Sequence, residues 1–458
     1  MSHLGAAATR HRSPDRPPPH AQVSKVDNHT FARQLSEEAG YAVGLFGKYL
    51  NNWPDVVPLG FDAWLANGGG DYIAPQFRTH GLEWAGIQNG NWQGSQDNYT
   101  TAVVGNLSIA WIRKVAAERR PWFAYIAPKA AHEPFIPAPW YLDRWDASWP
   151  DHEPRPPSYN SSFEARADHH GNIATNPMLD AEAAAVTTGI FKNRWRTLMS
   201  VDDLVASVVG AVDELGAIDN TFFFFTSDHG FTLGEFNMLM DKRHPYEFDT
   251  RVHLLARGPG IPAGSAWSEP ATQVDLYATF VELAGLTPPS TVDGRSLVPL
   301  LVRSDDAAPT WRTAVLFEYY YVSYNDKCVA NCTQGAACDH CAEYPLADAS
   351  CTDLPDNAVC WTPQCNQRCY RTEDDRNNYI ALRSLGGAHG NTMYAEFQTG
   401  DLAHAPIEFD AVDFHEHYDM DADRWQMNNT YKALSDAKRS SLSAEVHRWY
   451  KCAGATCP

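Results

Sequence analysis

Apolar runs along this chain end abruptly in polar clusters, and amphipathic stretches lead into them. The segment NHTFARQLSEEAG, from Asn28, predicts a helix: an Asx/Thr start, apolar Phe31 and Leu35, and Gly40 as a stop. Tyr41 to Phe46 then predicts a strand that runs into Gly47-Lys48-Tyr49-Leu50-Asn51. The unit repeats. Asp97 is positioned to cap a helix through Arg119, and the strand Trp122 to Ala127 ends in Pro128-Lys129-Ala130-Ala131-His132-Glu133-Pro134. A third helix is the clearest, because Val201, Leu204, Val205, Val208, Val212 and Leu215 recur at helical spacing before Gly216. Its successor, Phe222 to Phe225, breaks into Ser227-Asp228-His229-Gly230. A cationic cluster, Lys242-Arg243-His244, and a second apolar run, Val252 to Ala256, follow; Val274 to Ala284 predicts a fourth helix. Helix–strand alternation of this kind predicts an α/β fold, a mostly parallel central sheet flanked by helices.

Short, continuously apolar strands belong to buried parallel sheets, whose ligands bind beyond the carboxyl ends of the strands. Lys48, the Lys129/His132 turn and Asp228/His229 all fall at such ends, so they are expected to converge. A carboxylate and an imidazole can hold a metal, and the cations nearby can hold an anionic group. Taken singly, each residue has a plainer reading. A bare Asp-His-Gly is by default a turn with an Asx hydrogen bond. Lys48 reads as a solvated loop lysine, His132 as a capping histidine, and Lys242-Arg243-His244 as a solvated basic run. Convergence is what favours a site. Lys129 is left outside the catalytic set.

From Trp140 to Asp180 the chain turns polar and Pro-rich, which predicts a long surface excursion. After Leu301 the texture changes. AVLFEYYYV, YIALRSL and TMYAEFQ predict antiparallel strands around a Cys-rich insertion, and a helix from about Ser435 to Tyr450 ends the chain. The expected organisation is a disordered segment 1–27, an α/β domain 28–301, and a smaller C-terminal α+β subdomain 302–458 carrying the insertion 328–369.

Composition narrows the function. The chain has 458 residues, 44% of them hydrophobic, and a net charge of -20. An acidic protein is a poor nucleic-acid partner, and an anionic substrate would need a local basic pocket. No stretch is long and apolar enough to span a membrane. None of the ten cysteines precedes Cys328; eight lie between Cys328 and Cys369, and Cys452 and Cys457 follow at the C-terminus. Even number and clustering favour disulfides in an oxidising compartment over zinc, with Cys452 and Cys457 able to close a local loop. Asn28, Asn98, Asn106, Asn160, Asn331 and Asn428 each begin a glycosylation sequon. The expected location is therefore the secretory pathway: secreted, lysosomal or cell-surface. The N-terminal MSHLGAAATRHRSPDRPPPH has no apolar core of a signal peptide, which suggests that the true N-terminus is missing.

Five stretches carry a resemblance: EAGYAVGLFGKYLNNW (Glu38–Trp53), APKAAHEPFIPAP (Ala127–Pro139), DNTFFFFTSDHGFTLGEF (Asp219–Phe236), DKRHPYEFDTRVHLLARGPGI (Asp241–Ile261) and DGRSLVPLL (Asp293–Leu301). Through them the chain resembles the type I sulfatases, in the branch of N-acetylglucosamine-6-sulfatases and heparan 6-O-endosulfatases. The resemblance implies an alkaline-phosphatase-like α/β sandwich, calcium, and hydrolysis of sulfate esters on a sulfated polysaccharide or glycosaminoglycan. It also implies roles: Asp228 as a metal ligand with His229 in the adjoining position, and Lys48, His132 and Lys242 around the sulfate, His132 protonating the leaving alcohol. The family's nucleophile is a formylglycine made in a C/S-x-P-x-R motif upstream of the Gly-Lys motif. That motif is absent here, since Ser13-Pro14-Asp15-Arg16 has a different spacing, and so is the strand bearing paired acidic calcium ligands. The expectation is a sulfatase without its nucleophile-bearing segment, showing no turnover as given. The alternatives are a non-catalytic binder of sulfated glycans and a phosphodiesterase of the same superfamily.

Overall fold

The computed structural model describes residues 29–51, 56–302, 311–322 and 370–458. The expected disordered segment, the Cys-rich insertion, Asn28 and Asn331 lie outside the described residues.

Helix α1 (Phe31–Ala39) begins where Thr30 accepts a hydrogen bond from the Arg33 N–H and stops at Gly40 in the left-handed conformation. It feeds strand β1 (Ala42–Lys48). Strands β2 (Ala63–Asn67), β3 (Gln76–His80) and β4 (Gly90–Gln93) follow, then helix α2 (Thr100–Ala117) and strand β5 (Trp122–Ala127). The central sheet runs in the order β4-β3-β2-β1-β5. Strands β2, β1 and β5 are parallel, while β3 and β4 add antiparallel to the far edge. The connections from β2 to β3 and from β3 to β4 are too short for the crossover a parallel pair needs, so they return as hairpins. These three short strands lack the long apolar runs that made β1 and β5 visible in the sequence.

Side chains alternate across this sheet. Ala42 and Phe46 of β1, with Trp122, Ala124 and Ile126 of β5, pack against Val104, Trp111 and Ile112 of α2. Val43 and Phe123 point the other way, to Phe31 of α1 and to Tyr277 and Val281 of helix α4 (Asp275–Leu283). Helices thus cover both faces. Helix α3 (Ala181–Glu214) is longer than its apolar spacing predicts. Asp180 caps it by accepting from the Ala183 N–H (2.9 Å), and its first half buries Ala183, Val186 and Ile190 against Phe135, Leu233 and Leu239.

Strand β6 (Phe223–Thr226) pairs antiparallel with β7 (Leu254–Arg257). Phe223 joins the α2/α3 side of the core and Phe224 packs on α4. The Phe280 ring of α4 lies 5.1 Å from Phe123 of β5 and 5.2 Å from Phe224 of β6. The two strands therefore sit under the same helices, although among the described residues no ladder joins them.

The C-terminal part is a four-stranded antiparallel sheet in the order β11-β10-β9-β8, comprising β8 (Ala314–Tyr319), β9 (Tyr379–Gly386), β10 (Gly390–Phe397) and β11 (Phe414–Asp419). Helix α5 (Asp436–Lys451), capped by Ser435, covers one face through Leu442, Val446 and Tyr450. The opposite face, with Ala381, Met393, Phe397 and Tyr418, packs on Phe236, Met238 and Tyr246. Cys452 and Cys457 form a disulfide after α5. No described helix is long and apolar enough to cross a membrane.

Candidate active site

Lys48 is placed by its neighbour. Gly47 has φ 120°, and a Cβ on it would lie 2.0 Å from the Ala127 carbonyl oxygen, so only glycine lets the ends of β1 and β5 approach. Burial lowers the Lys48 pKa and Lys242 lowers it further, while Asp228 and Glu133 act in the opposite sense. The tip of β1 thus lies within electrostatic reach of three other segments.

Beyond β5 the chain folds into a tight turn. The His132 N–H donates to the Lys129 carbonyl (3.0 Å), and the Phe135 N–H to the His132 carbonyl (3.2 Å). Tyr72 donates its hydroxyl to the His132 carbonyl (2.6 Å), and Arg194 of α3 donates to the Ala131 carbonyl (2.7 Å). The His132 Nδ1 lies 2.9 Å from the Glu133 carbonyl, which can only accept, so Nδ1 carries the proton and Nε2 holds the lone pair. Burial, with Lys242, Lys48 and Lys129 nearby, pushes its pKa down to about 2. Without an anion present His132 is neutral. Lys129 donates to the Gly70 carbonyl and lies over the Tyr72 ring, 4.8 Å from its centroid. Burial lowers its pKa to about 8 against the pull of Asp71 and Glu133.

At the end of β6, a Cβ on Gly230 would meet the Phe248 carbonyl oxygen at 1.9 Å. The Gly230 N–H donates to Asp249 O (2.8 Å), which turns Asp228 and His229 outward at the strand end. His229 donates Nδ1–H to the Gly230 carbonyl (2.7 Å), and its Nε2 is 3.4 Å from Asp228 Oδ2. Burial lowers the His229 pKa and Lys242 adds to it, whereas Asp228 opposes. The Asp228 carboxyl is held below its usual range: burial opposes its charge, and His229 and Lys48 favour it. With its Nδ1–H given to the Gly230 carbonyl, His229 presents Nε2 towards the Asp228 carboxylate, an arrangement suited to a cation. Calcium takes about six to eight oxygen ligands. No group of three or more His, Cys, Asp or Glu side chains suited to a metal occurs among the described residues, so this pair by itself does not make a metal site.

The Lys242 loop is held from below. Lys242 Nζ lies 3.4 Å from Asp241 Oδ1, and Arg243 Nε lies 3.2 Å from Asp241 Oδ2. Arg243 also pairs with Glu373. His244 donates Nε2–H to the Thr372 carbonyl (2.6 Å), and its backbone N–H donates to Asp249 Oδ2 (3.0 Å). Tyr246 donates to Glu416 of β11 (3.2 Å), and His170 Nδ1 lies 2.9 Å from the same residue's Oε1. The Lys242 pKa is raised: burial works against its charge, and Glu133 and Asp241 outweigh it.

Lys48, His132, Lys242, Asp228 and His229 are therefore linked by charge in overlapping pairs: Lys48 and Lys242 act on His132, Lys48 and His229 on Asp228, and Lys242 on His229. Glu133 and Arg194 join them, and so does Lys129, which the strand-end reading placed at the end of β5 but left outside the catalytic set. Glu133 stands between His132 and Pro134 in the turn, a visible signal. Arg194 arrives from the first half of α3, and nothing in its local sequence announces it. The result is a cluster of cations in an acidic protein, with a neutral proton acceptor, His132, within their electrostatic reach. Such a cluster takes an oxyanion.

Of the sequon asparagines, Asn106 and Asn428 are exposed. Asn98 accepts from the Ser95 N–H (2.8 Å). The Asn160 amide donates to the Leu179 carbonyl (3.0 Å) and accepts from the Leu179 N–H (2.6 Å), so the nitrogen a glycan would occupy is committed to the fold.

The Sulfatase family model matches residues 7–286. N-acetylglucosamine-6-sulfatase from Bos taurus is 28% identical over 439 residues, 93% of this chain and 69% of that protein. The extracellular sulfatase SULF-1 homolog of Drosophila melanogaster is 32% identical over 296 residues, 64% of this chain and 26% of that protein. The solved structure of BT4656 in complex with its substrate D-glucosamine-2-N,6-O-disulfate superposes with a TM-score of 0.63 at 21% identity, covering 92% of this chain and 81% of that one. That likeness concerns the alkaline-phosphatase-like fold.

Proposed function

The chain belongs to the sulfatase family, and on that premise we propose that it is built to bind and hydrolyse 6-O-sulfated glucosamine units of a sulfated glycan. The sulfuric ester hydrolase class follows from the family and from the named sulfatase relatives. What supports the substrate is the kinship with N-acetylglucosamine-6-sulfatases, together with one feature of the structure: Lys48, Lys129 and Lys242 all act on a buried His132 that burial keeps neutral.

In this reading the lysines neutralise the sulfate oxygens, and charge that grows on the leaving oxygen is met by groups already in place. His132 enters as a base at Nε2. Burial and then the lysine charges depress its pKa; a bound sulfate offsets the second, so the ring can gain a proton as the ester binds and pass it to the leaving alcohol while a nucleophile, the formylglycine hydrate in the family, attacks the sulfur. Asp228 and His229 would form one side of a divalent-cation site, calcium by family, and the cation would supply Lewis acidity towards a sulfate oxygen. Its remaining oxygen ligands lie beyond this pair.

A secretory location is supported by the Cys452–Cys457 disulfide and by the extracellular relative. Asn106 and Asn428 are the sequons best placed to carry glycans.

Anion capture can be measured apart from turnover. Isothermal titration of the chain with glucosamine 6-sulfate, glucosamine 3-sulfate and glucosamine 6-phosphate tests the substrate. Preference for the 6-sulfate is expected; equal binding of all three, or none, would sink the reading. Hydrolysis is tested by release of inorganic sulfate from the 6-sulfated sugar against cleavage of a phosphodiester such as bis(p-nitrophenyl) phosphate.

A further inference from the structure

Glu133 is the least expected member of the pocket. Its side chain is buried, and its Oε2 has no hydrogen-bond partner among the described residues. A buried carboxylate oxygen without a partner is costly, and it persists only where surrounding charge compensates it. Here the compensation comes from four elements. Lys48 ends β1, Lys129 follows β5, Arg194 comes from α3, and Lys242 lies in the loop after β6; each senses the Glu133 charge. Tyr72 senses it as well. The backbone of the same residue fixes the His132 tautomer, because its carbonyl accepts the Nδ1–H (2.9 Å).

Resting on the reading of this pocket as a sulfate site, we propose that Glu133 is its positioning residue, the internal counter-charge that keeps Lys129 and Lys242 protonated and in place for the incoming anion. A carboxylate beside an oxyanion site repels the ligand, so its presence needs a compensating gain. The gain is that several ammonium groups can be held together in a buried space before the ligand arrives. Lys129 is the group most exposed to its loss. It titrates at about 8, with Asp71 and Glu133 favouring its charge and Lys48 disfavouring it. Removing Glu133 lowers that value, while Lys242 keeps Asp241 at 3.4 Å.

Inorganic sulfate is a suitable probe, because its own charge is constant across the useful range. Its dissociation constant, measured by titration calorimetry from pH 5.5 to 9.5, should rise for the wild type on the alkaline side as Lys129 loses its proton. In Glu133→Gln the same rise should start about one pH unit lower, while sulfate binds more tightly than to wild type on the acid side, where the lysines stay charged. This crossing of the two curves is not produced by a merely structural role. Glu133→Asp, with the charge drawn back by one methylene, should fall between them, and Lys129→Met should abolish the alkaline limb. Thermal unfolding at pH 6 checks that each variant folds. If Glu133→Gln does not fold, Glu133→Asp carries the comparison, with a smaller shift in the same direction. Wild-type binding with an unmoved limb in the folded variants overturns the role of Glu133 and leaves the sulfate site standing. No sulfate binding by the wild type overturns both.

Discussion

Gly47 and Ala127 touch through their backbones: a Cβ on Gly47 would sit 2.0 Å from the Ala127 carbonyl oxygen. That closeness brings Lys48 and the His132 turn to one place. Gly47→Ala must either part β1 from β5 or distort both, and it also forces alanine into a left-handed φ of 120°. A destabilisation of about 3 kcal/mol or more is expected, measured by urea unfolding, together with weakened sulfate binding in the folded fraction.

Arg243 bridges Asp241 in the loop and Glu373 ahead of β9, with its side chain mostly buried. Removing one partner of a buried pair leaves the others uncompensated. Arg243→Met should cost roughly 3 kcal/mol in unfolding free energy and also weaken sulfate binding, because Lys242 is its chain neighbour. Loss of stability with sulfate affinity unchanged would show that the loop does not position Lys242.

Lys242→Met removes a cation that Glu133 and Asp241 hold charged. Affinity for inorganic sulfate should fall by about tenfold or more, since a charge-assisted bond contributes roughly 1.5–3 kcal/mol. Calorimetry at pH 6, below the titration of Lys129, reads this without interference.

His244 is fully buried, and burial together with neighbouring His170 pushes its pKa down to about 3. The unfolded chain takes up a proton near pH 6.5 that the folded one refuses. This contribution is therefore fully present above pH 6.5 and is lost as the pH falls towards 3. Glu235 works in the opposite sense, because burial raises its pKa to about 7 and stability is lost as the pH climbs from its unfolded value. Comparing wild type with His244→Gln, which can still donate to the Thr372 carbonyl, isolates the histidine. Between pH 6.5 and 4.5 the variant should lose less unfolding free energy, by up to about 1.4 kcal/mol per pH unit.

How far the sequence reaches depends on what makes each element visible. Strand β5 occurs over Trp122–Ala127, where its apolar run ends, and α5 begins one residue after its Ser435 cap. Strands β2, β3, β4 and β11 were not anticipated, because they are short and their neighbours, not their own composition, define them. The first half of α3 was missed for a related reason: its short apolar row, Ala183, Val186 and Ile190, packs on the loops after β5 and β6, which only the folded chain reveals. In the site, the ends of β1 and β5 were legible because those strands run parallel, and β6, although it pairs antiparallel with β7 in a separate ladder, lies under the same helices. Arg194 came from a helix side and carried no such mark. Glu133 was seen but had no role until its burial among cations was known.

The face of the C-terminal sheet that packs on Tyr246, with Glu416 and the Thr372–Glu373 segment beside it, also has a meaning for inheritance. A crossover between relatives near residue 302 would join a Lys242 loop shaped by one history to a β-sheet floor shaped by another. Mismatched hybrids would fold two sound halves and still misplace the cation between them. Variation at Thr372, Glu373 and Glu416 should therefore track variation in the Lys242–Tyr246 loop, so the two stretches are better regarded as one heritable unit.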